Sequence, residues 1–305
     1  MQVCHRVGEV VQWRKSNIDP RVQTIGFVPT MGCLHEGHMS LIKASKKEND
    51  FTVVSIFVNP SQFAPNEDLD KYPRTLPQDL ALLESAGVDM CFAPSAKDIY
   101  PQGIPLNVDE QRGPFVTILG VSEQLEGKTR PNFFRGVATV VTKLLNIVSP
   151  TTAYFGQKDI QQFIVLKVMT EQLFMNTTIK MMPIVRDEAG LALSSRNRYL
   201  CEESVKKASN IHRGLQTAAA LLTEKSEVSR QELLTVIEQI WAPFVASGDF
   251  KVDYISIADS FALQEKRDVV SRSSDTIISC AVYVQDRRDP STTVRLIDNV
   301  IVSKR

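Results

Sequence analysis

The sequence predicts an α/β protein: a doubly wound parallel sheet over residues 1–185, followed by a smaller α+β domain over 186–305. Three observations carry that prediction. Short β-branched and aromatic runs recur at 24–28, 51–58, 88–92, 153–155 and 179–182, as expected of strands buried on both faces of a parallel sheet. Stretches with helical spacing separate these runs. After Arg186 the alternation stops, and two long helical stretches precede three further strands.

Between the first two runs, Leu34, Leu41 and Ile42 fall at helical spacing, which makes a βαβ unit. Leu76, Leu80 and Leu83 line one face of a helix over 76–84, and Gly87 can cap it before the strand at 88–92. The clearest helix is 137–148, where Val137, Val140, Val141, Leu144, Leu145 and Val148 keep the helical period until Pro150. A strand at 153–155, a helix at 160–173 and a strand at 179–182, stopped by Pro183, complete the series. The domain boundary is expected near Val185. Helices at 202–222 and 230–245 then lead to strands at 252–257, 277–284 and 294–302. The segment 103–115, rich in Gly, Pro and charge, reads as a surface loop or a gate, and 264–275 as a solvated loop.

With 305 residues, 43% hydrophobic and 23% charged, the chain is longer than one small core accommodates. Its 35 Lys plus Arg balance 35 Asp plus Glu, so no global field draws it to nucleic acid or anionic lipid, and any anion site must be local. No run approaches the roughly 20 apolar residues that span a bilayer. Residues 1–15 alternate charges with single apolar residues, so neither a membrane segment nor a signal peptide is expected. The five cysteines, Cys4, Cys33, Cys91, Cys201 and Cys280, are odd in number and scattered, without a C-x-x-C pair. They predict neither a disulfide framework nor a cysteine zinc site, and they fit the cytoplasm.

Candidate chemistry sits where strands end. Pro29-Thr30-Met31-Gly32-Cys33-Leu34-His35-Glu36-Gly37-His38 follows the first strand and leads into a helix, where backbone N–H groups and the helix dipole favour phosphate. His35 and His38, three apart, share a helix face. A lone histidine here would be read as a polar helix start; two histidines framing a glycine favour a ligand instead. Zinc is a poor alternative, because the spacing is one residue short of H-E-x-x-H and no third ligand is apparent. Asn59 and Gln62 follow the second strand in Asn59-Pro60-Ser61-Gln62 and offer amides suited to hydroxyl and carboxylate groups, though Asn-Pro is also a plain turn signal. Gly156-Gln157-Lys158-Asp159 follows a later strand, ahead of Gln161 and Gln162 in the next helix. There a lysine can neutralise a polyphosphate and an aspartate can orient it or bind Mg²⁺ through water. Leu193-Ser194-Ser195-Arg196-Asn197-Arg198 combines two hydroxyls with two guanidinium forks that match phosphate oxygens, a Ser-Arg helix cap being an equal alternative for the segment taken alone.

Taken together, His35-x-Gly37-His38 and the Ser194-Ser195-Arg196 loop about 160 residues later resemble the paired signatures of the nucleotidyltransferase superfamily. The strings PTMGCLHEGH, IFVNPSQF, YPRT, GKTRPNFFRGVATVV, YFGQKDIQQ and LSSRNRYL resemble the pantothenate synthetase (pantoate:β-alanine ligase) family over most of residues 24–200. The resemblance implies a Rossmann-like nucleotidyltransferase domain that binds nucleotide and pantoate, with the smaller domain covering its cleft. It also implies a reaction in which ATP and Mg²⁺ activate pantoate to pantoyl adenylate with loss of pyrophosphate. The β-alanine amine then displaces AMP to give pantothenate, a coenzyme A precursor.

By the same resemblance ATP is lined by Met31, Gly32, Cys33, Leu34, His35, Glu36, Gly37, His38, Gly156, Gln157, Lys158, Asp159, Val185, Leu193, Ser194, Ser195 and Arg196. His38, His35 and Lys158 are the catalytic candidates, with His38 as proton donor. Gln62 and Gln162 would hold pantoate, bordered by Asn59 and Tyr72. Asp79 is offered as a Mg²⁺ ligand beside ATP phosphates and water, and a homodimer is implied. One departure is Phe133, which stands where many members of the family carry histidine, so either it packs against the ligand or Asn132 supplies the lost polarity. Another nucleotidyltransferase with the same phosphate loops is the nearest alternative, but Asn59, Gln62 and Gln162 suit a small hydroxy acid. A non-catalytic nucleotide- or RNA-binding module is disfavoured by zero net charge and by His35, His38 and Lys158.

Overall fold

The apolar runs of the first half become six parallel strands, β1 (Gln2–Cys4), β2 (Ile25–Thr30), β3 (Phe51–Ile56), β4 (Met90–Phe92), β5 (Thr152–Gly156) and β6 (Thr178–Met182). Their order is β1-β4-β3-β2-β5-β6 in a computed structural model that describes residues 1–65, 67 and 69–305. The chain divides by its contacts into two units, one of Met1–Gly156 with Gln161–Pro183, the other of Gln157–Ile160 with Ile184–Arg305. A division near Val185 is expected from the sequence, but nothing in it signals that the turn at 157–160 packs with the later residues.

Side chains alternate across the sheet, so successive residues feed different cores. Phe27, Val53 and Phe155 join one apolar cluster, whereas Val28, Val54 and Tyr154 join another. The first cluster is closed by α1 (Val7–Asn17), α6 (Phe133–Val148) and α7 (Ile160–Gln172), through Val10, Trp13, Val141, Leu145 and Met169. The second is closed by α2 (Glu36–Glu48) and α3 (Leu76–Ser85), through Leu41, Ile42 and Leu83. Single-turn helices α4 (Ala96–Ile99) and α5 (Glu126–Thr129) lie in the connections. The result is a doubly wound sheet with helices on both faces. Chain order runs outward from β2 through β3 to β4, then resumes at β5 on the other side of β2. The carboxyl ends of β2 and β5 thus flank a switch point, the usual ligand position in open α/β sheets.

The second unit packs α8 (Glu202–Ala208), α9 (Asn210–Lys225) and α10 (Arg230–Ala246) with an antiparallel sheet ordered β11-β10-β8. Its strands are β8 (Phe250–Asp259), β10 (Thr276–Gln285) and β11 (Thr293–Val302), while β7 (Glu227–Ser229) pairs with β9 (Val269–Ser271) separately.

Several expectations are corrected. The helix expected at 202–222 is two helices that meet at Ser209, and the stretch 264–275 contains β9 rather than loop alone. Helix α6 starts four residues earlier than the periodic valines indicate, because Asn132 adopts a left-handed conformation (φ 68°) that turns the chain into it. The segment 103–115 is a loop with one tight turn at Val108–Glu110. Gly103, Arg112 and Phe115 help line a cavity of about 450 Å³ together with Tyr100 and Lys143, and none of the expected site residues lines it.

Candidate active site

After β2 the chain enters a turn in which Gly32 (φ 82°) and Cys33 (φ 53°) are consecutively left-handed. The Gly32 amide donates to Thr30 Oγ1 at 3.2 Å, the Cys33 amide to Asp79 Oδ2 at 2.9 Å and the Leu34 amide to Asp79 Oδ1 at 2.8 Å. Thr75 Oγ1 adds a bond to Asp79 Oδ2 at 3.0 Å, and the aspartate is 2% exposed. Successive N–H groups in such a turn form an anion-binding nest. Here the anion is the protein's own carboxylate. The Cys33 and Leu34 amides, expected to face phosphate, are therefore committed to Asp79, and Asp79 itself clamps the loop rather than standing open as a Mg²⁺ ligand. Among the described residues no group of three or more His, Cys, Asp or Glu side chains is placed to hold a metal ion.

His35 is the N-cap of α2, and its Nδ1 accepts from the Gly37 amide at 3.1 Å. His38 Nδ1 accepts a longer bond, 3.4 Å, from the His35 amide. A ring nitrogen that accepts carries no proton, so these bonds assign the proton of each neutral imidazole to Nε2. The two rings lie with centroids 4.2 Å apart at 44°. Gly37 leaves room for this packing, since a Cβ there would stand 2.8 Å from His35 Cε1 and would push the imidazole aside. The motif thus builds a pair of tilted imidazoles, each held from Nδ1 and each carrying its N–H on the other nitrogen.

The amides after β3 are not equivalent. Asn59, 1% exposed, donates from Nδ2 to Gln62 Oε1 (3.0 Å) and to the Gly136 carbonyl (3.2 Å). Its Oδ1 accepts from the Tyr100 hydroxyl (2.7 Å) and Ser61 Oγ (3.0 Å). With its bonding capacity spent, Asn59 orients Gln62, whose Nε2 turns toward Met31 Sδ at 3.3 Å, a weak acceptor that a ligand oxygen would readily replace. Burial pushes the Tyr100 hydroxyl up to about 12, so it stays protonated to donate to Asn59. Tyr72 is buried edge-on to Phe63, with ring centroids 5.8 Å apart.

The adjacent glutamines of α7 also divide their work. Gln161 is 4% exposed and spends its amide on the Glu126 N–H and on the Val121 and Gln124 carbonyls, whereas Gln162 is only half-buried. The Arg130 guanidinium lies 3.8 Å from the Phe133 ring centroid. Arg130 also pairs with both oxygens of Glu67 at 2.7 Å and reaches the Gln62 carbonyl at 3.3 Å. Arg130, Glu67 and Tyr100 are supports of this region that sequence reasoning missed; only Arg130 had a signal, as the cation of the GKTRPN string.

Within the second unit, Lys158 stands in a tight turn, Gln157–Asp159, with its ammonium 4.0 Å from Asp159 Oδ1. Ser194 caps the turn Ser195–Tyr199 by accepting from the Arg196 amide at 3.3 Å. The Leu193 amide donates to the Val185 carbonyl at 3.0 Å, closing a narrow hairpin whose rungs include Arg186 and Ala192.

Comparison with known proteins settles the relationship. The family model for pantoate-beta-alanine ligase matches residues 2–301. The chain belongs to that family. A pantoate–beta-alanine ligase of Saccharomyces cerevisiae is 62% identical over 309 residues, covering 99% of this chain and 100% of the relative. The pantothenate synthetase of Fervidobacterium nodosum is 43% identical with the same coverage of both chains. Among solved structures, pantothenate synthetase from Thermus thermophilus superposes with a TM-score of 0.84 at 38% identity, over 99% of this chain and 100% of that one. A pantoate-beta-alanine ligase from Francisella tularensis, solved in complex with beta-gamma ATP and beta-alanine, gives 0.75 at 35% identity, over 99% and 97%.

Proposed function

We propose that this member of the pantoate–beta-alanine ligase family joins pantoate to β-alanine at the expense of ATP, through pantoyl adenylate, releasing pyrophosphate and then AMP. The observation that carries this is the imidazole pair, with His35 and His38 both held at Nδ1 on the loop that follows β2. The pantoate carboxylate attacks the α-phosphorus in line, and charge developing on the bridging and non-bridging oxygens has to be met by fixed donors and cations. We assign His35 and His38 of the first unit and Lys158, Ser194, Ser195 and Arg196 of the second to that charge, with the Nε2 proton of His38 as the donor. Met31, Gly32, Cys33, Leu34, Glu36, Gly37, Gly156, Gln157, Asp159, Val185 and Leu193 complete the ATP contacts by shape and side chain, the committed Cys33 and Leu34 amides excepted. Gln62 and Gln162 are assigned to pantoate, with Asn59 and Tyr72 behind them.

Mg²⁺ is placed on the ATP phosphates as part of the nucleotide substrate, because the carboxylate offered for it, Asp79, is taken by the loop amides. A homodimer belongs to the same proposal, and sedimentation of the purified protein tests it. So does a cytoplasmic location, which the odd number of scattered cysteines without a C-x-x-C pair fits.

The deciding experiment is exchange of labelled pyrophosphate into ATP with and without pantoate, followed by AMP release when β-alanine is added. Pantoate-dependent exchange and β-alanine-dependent AMP release are expected. Exchange indifferent to pantoate would point to the alternative, a nucleotidyltransferase with another acceptor.

A further inference from the structure

Two consecutive residues of β11 reach two of the segments just assigned to ATP. Asp298, 3% exposed, receives both arms of the Arg186 guanidinium at 2.7 and 2.8 Å, and Arg186 also donates to the Gly190 carbonyl at 3.1 Å. The hairpin that leads to Ser194 is thereby tied to β11.

Asn299, 1% exposed, reaches the other segment with its whole side-chain amide. Its Nδ2 donates to the Gln157 carbonyl (2.9 Å) and the Lys158 carbonyl (3.1 Å), and its Oδ1 accepts from Gln157 Nε2 (3.1 Å). The partners fix which end of the amide is which, because Nδ2 faces two carbonyl oxygens.

We propose that Asn299 is a positioning residue for adenylation, acting through the backbone of Lys158. The inference rests on the assignment of Lys158 to ATP. Lysine carries its charge on a long flexible stem, so the placement of its ammonium depends on how firmly its Cα is held. The segment that holds it is a single tight turn with little packing of its own, bonded instead at two successive carbonyls by one buried side chain. Asparagine supplies two donors and one acceptor in one plane. Aspartate keeps the volume but turns an oxygen toward both carbonyls, and alanine supplies nothing.

The test measures kcat and KM for ATP in pantoate-dependent pyrophosphate exchange, with thermal melting, for Asn299→Asp, Lys158→Ala and the double variant. Misplacing a reacting group by an ångström costs up to about 100-fold, so Asn299→Asp is expected to melt as a folded protein while losing about 10- to 100-fold in kcat. Its KM for pantoate should stay within about twofold of wild type, and Asn299→Asp should add nothing on the Lys158→Ala background, as for groups acting as a unit. Should the buried charge prevent folding, Asn299→Ala carries the same expectations. Wild-type kcat in the Asn299 variant, with Lys158→Ala slow, overturns this proposal alone, as does a full additional loss on the Lys158→Ala background. Wild-type exchange by Lys158→Ala removes the assignment of Lys158 and the proposal with it.

Discussion

Asp79 accepts the Leu34 amide at 2.8 Å across 45 residues of sequence, and its second oxygen accepts the Cys33 amide at 2.9 Å. A helix side chain thus fixes the loop that presents His35. Replacing Asp79 with alanine strands two buried amides, each costing about 1–3 kcal/mol when left without a partner. Asp79→Ala is expected to lose about 2–6 kcal/mol of stability by urea unfolding and to raise KM for ATP even where it remains folded. Unchanged stability would contradict the clamp.

His38→Ala and Lys158→Ala are each expected to slow adenylation by about 10² to 10³, the usual effect of removing one placed transition-state donor. His35 needs a different substitution, because it also caps α2. His35→Asn keeps a good N-cap and removes the imidazole, so helix stability should hold while exchange activity falls. Melting temperature and pyrophosphate exchange on the same preparation separate the two.

Gly136 lets α6 lie against the turn that carries Gln62: a Cβ there would stand 2.2 Å from the Ser61 carbonyl oxygen. That oxygen is backbone and cannot swing away. Gly136→Ala should destabilise the protein by about 1–3 kcal/mol through overpacking. It should also raise KM for pantoate more than KM for ATP, because the Gly136 carbonyl helps anchor Asn59. Equal changes in both constants would argue against a specific link to the pantoate side.

The alternating strands and helices of the first unit were legible because strands buried on both faces must be continuously apolar, as Phe27–Val28 and Val53–Val54 are. Strand β1 and helix α1 were not, because β1 is three residues long and the buried Val10 and Trp13 are set among charges. The motif residues stood out by type and spacing within a few positions. What holds them did not, since Asp79 finds its loop 45 residues away and Asn299 its turn 141 or more residues away. Nothing local in either stretch announces such a contact. The break at Ser209 was hidden for the opposite reason: α8 and α9 follow each other with no proline or glycine between them.

The stacked pair of Phe133 and Arg130 can be tested in the same way. The guanidinium over the ring is a cation–π contact of about 0.5–2 kcal/mol, and the same arginine bonds the Gln62 carbonyl. Phe133→Leu should lose that increment and weaken pantoate binding modestly. Most of the loss should vanish in an Arg130→Met background. Losses that simply add in the double variant would show that ring and guanidinium act separately.

His212 sets a pH dependence. Its Nδ1 is buried, has no hydrogen-bond partner among the described residues, and lies 3.8 Å from Asp298 Oδ2. Burial pushes the imidazole below its ordinary 6.5, the Arg186 guanidinium pushes the same way, and Asp298 offsets this only in part. The folded state therefore binds the proton less readily than the unfolded chain, and stability rises with pH across this window. The contribution is fully present above about 6.5 and is lost as pH falls through the depressed folded value. Asp286, held down at about 2 by bonds from the Cys201 thiol and amide, loses its contribution only at more acid pH, between about 4 and 2. Unfolding free energies measured from pH 8 to 5 should therefore decline in the wild type and run flatter in His212→Gln. Parallel curves would place the acid sensitivity of this range on other groups.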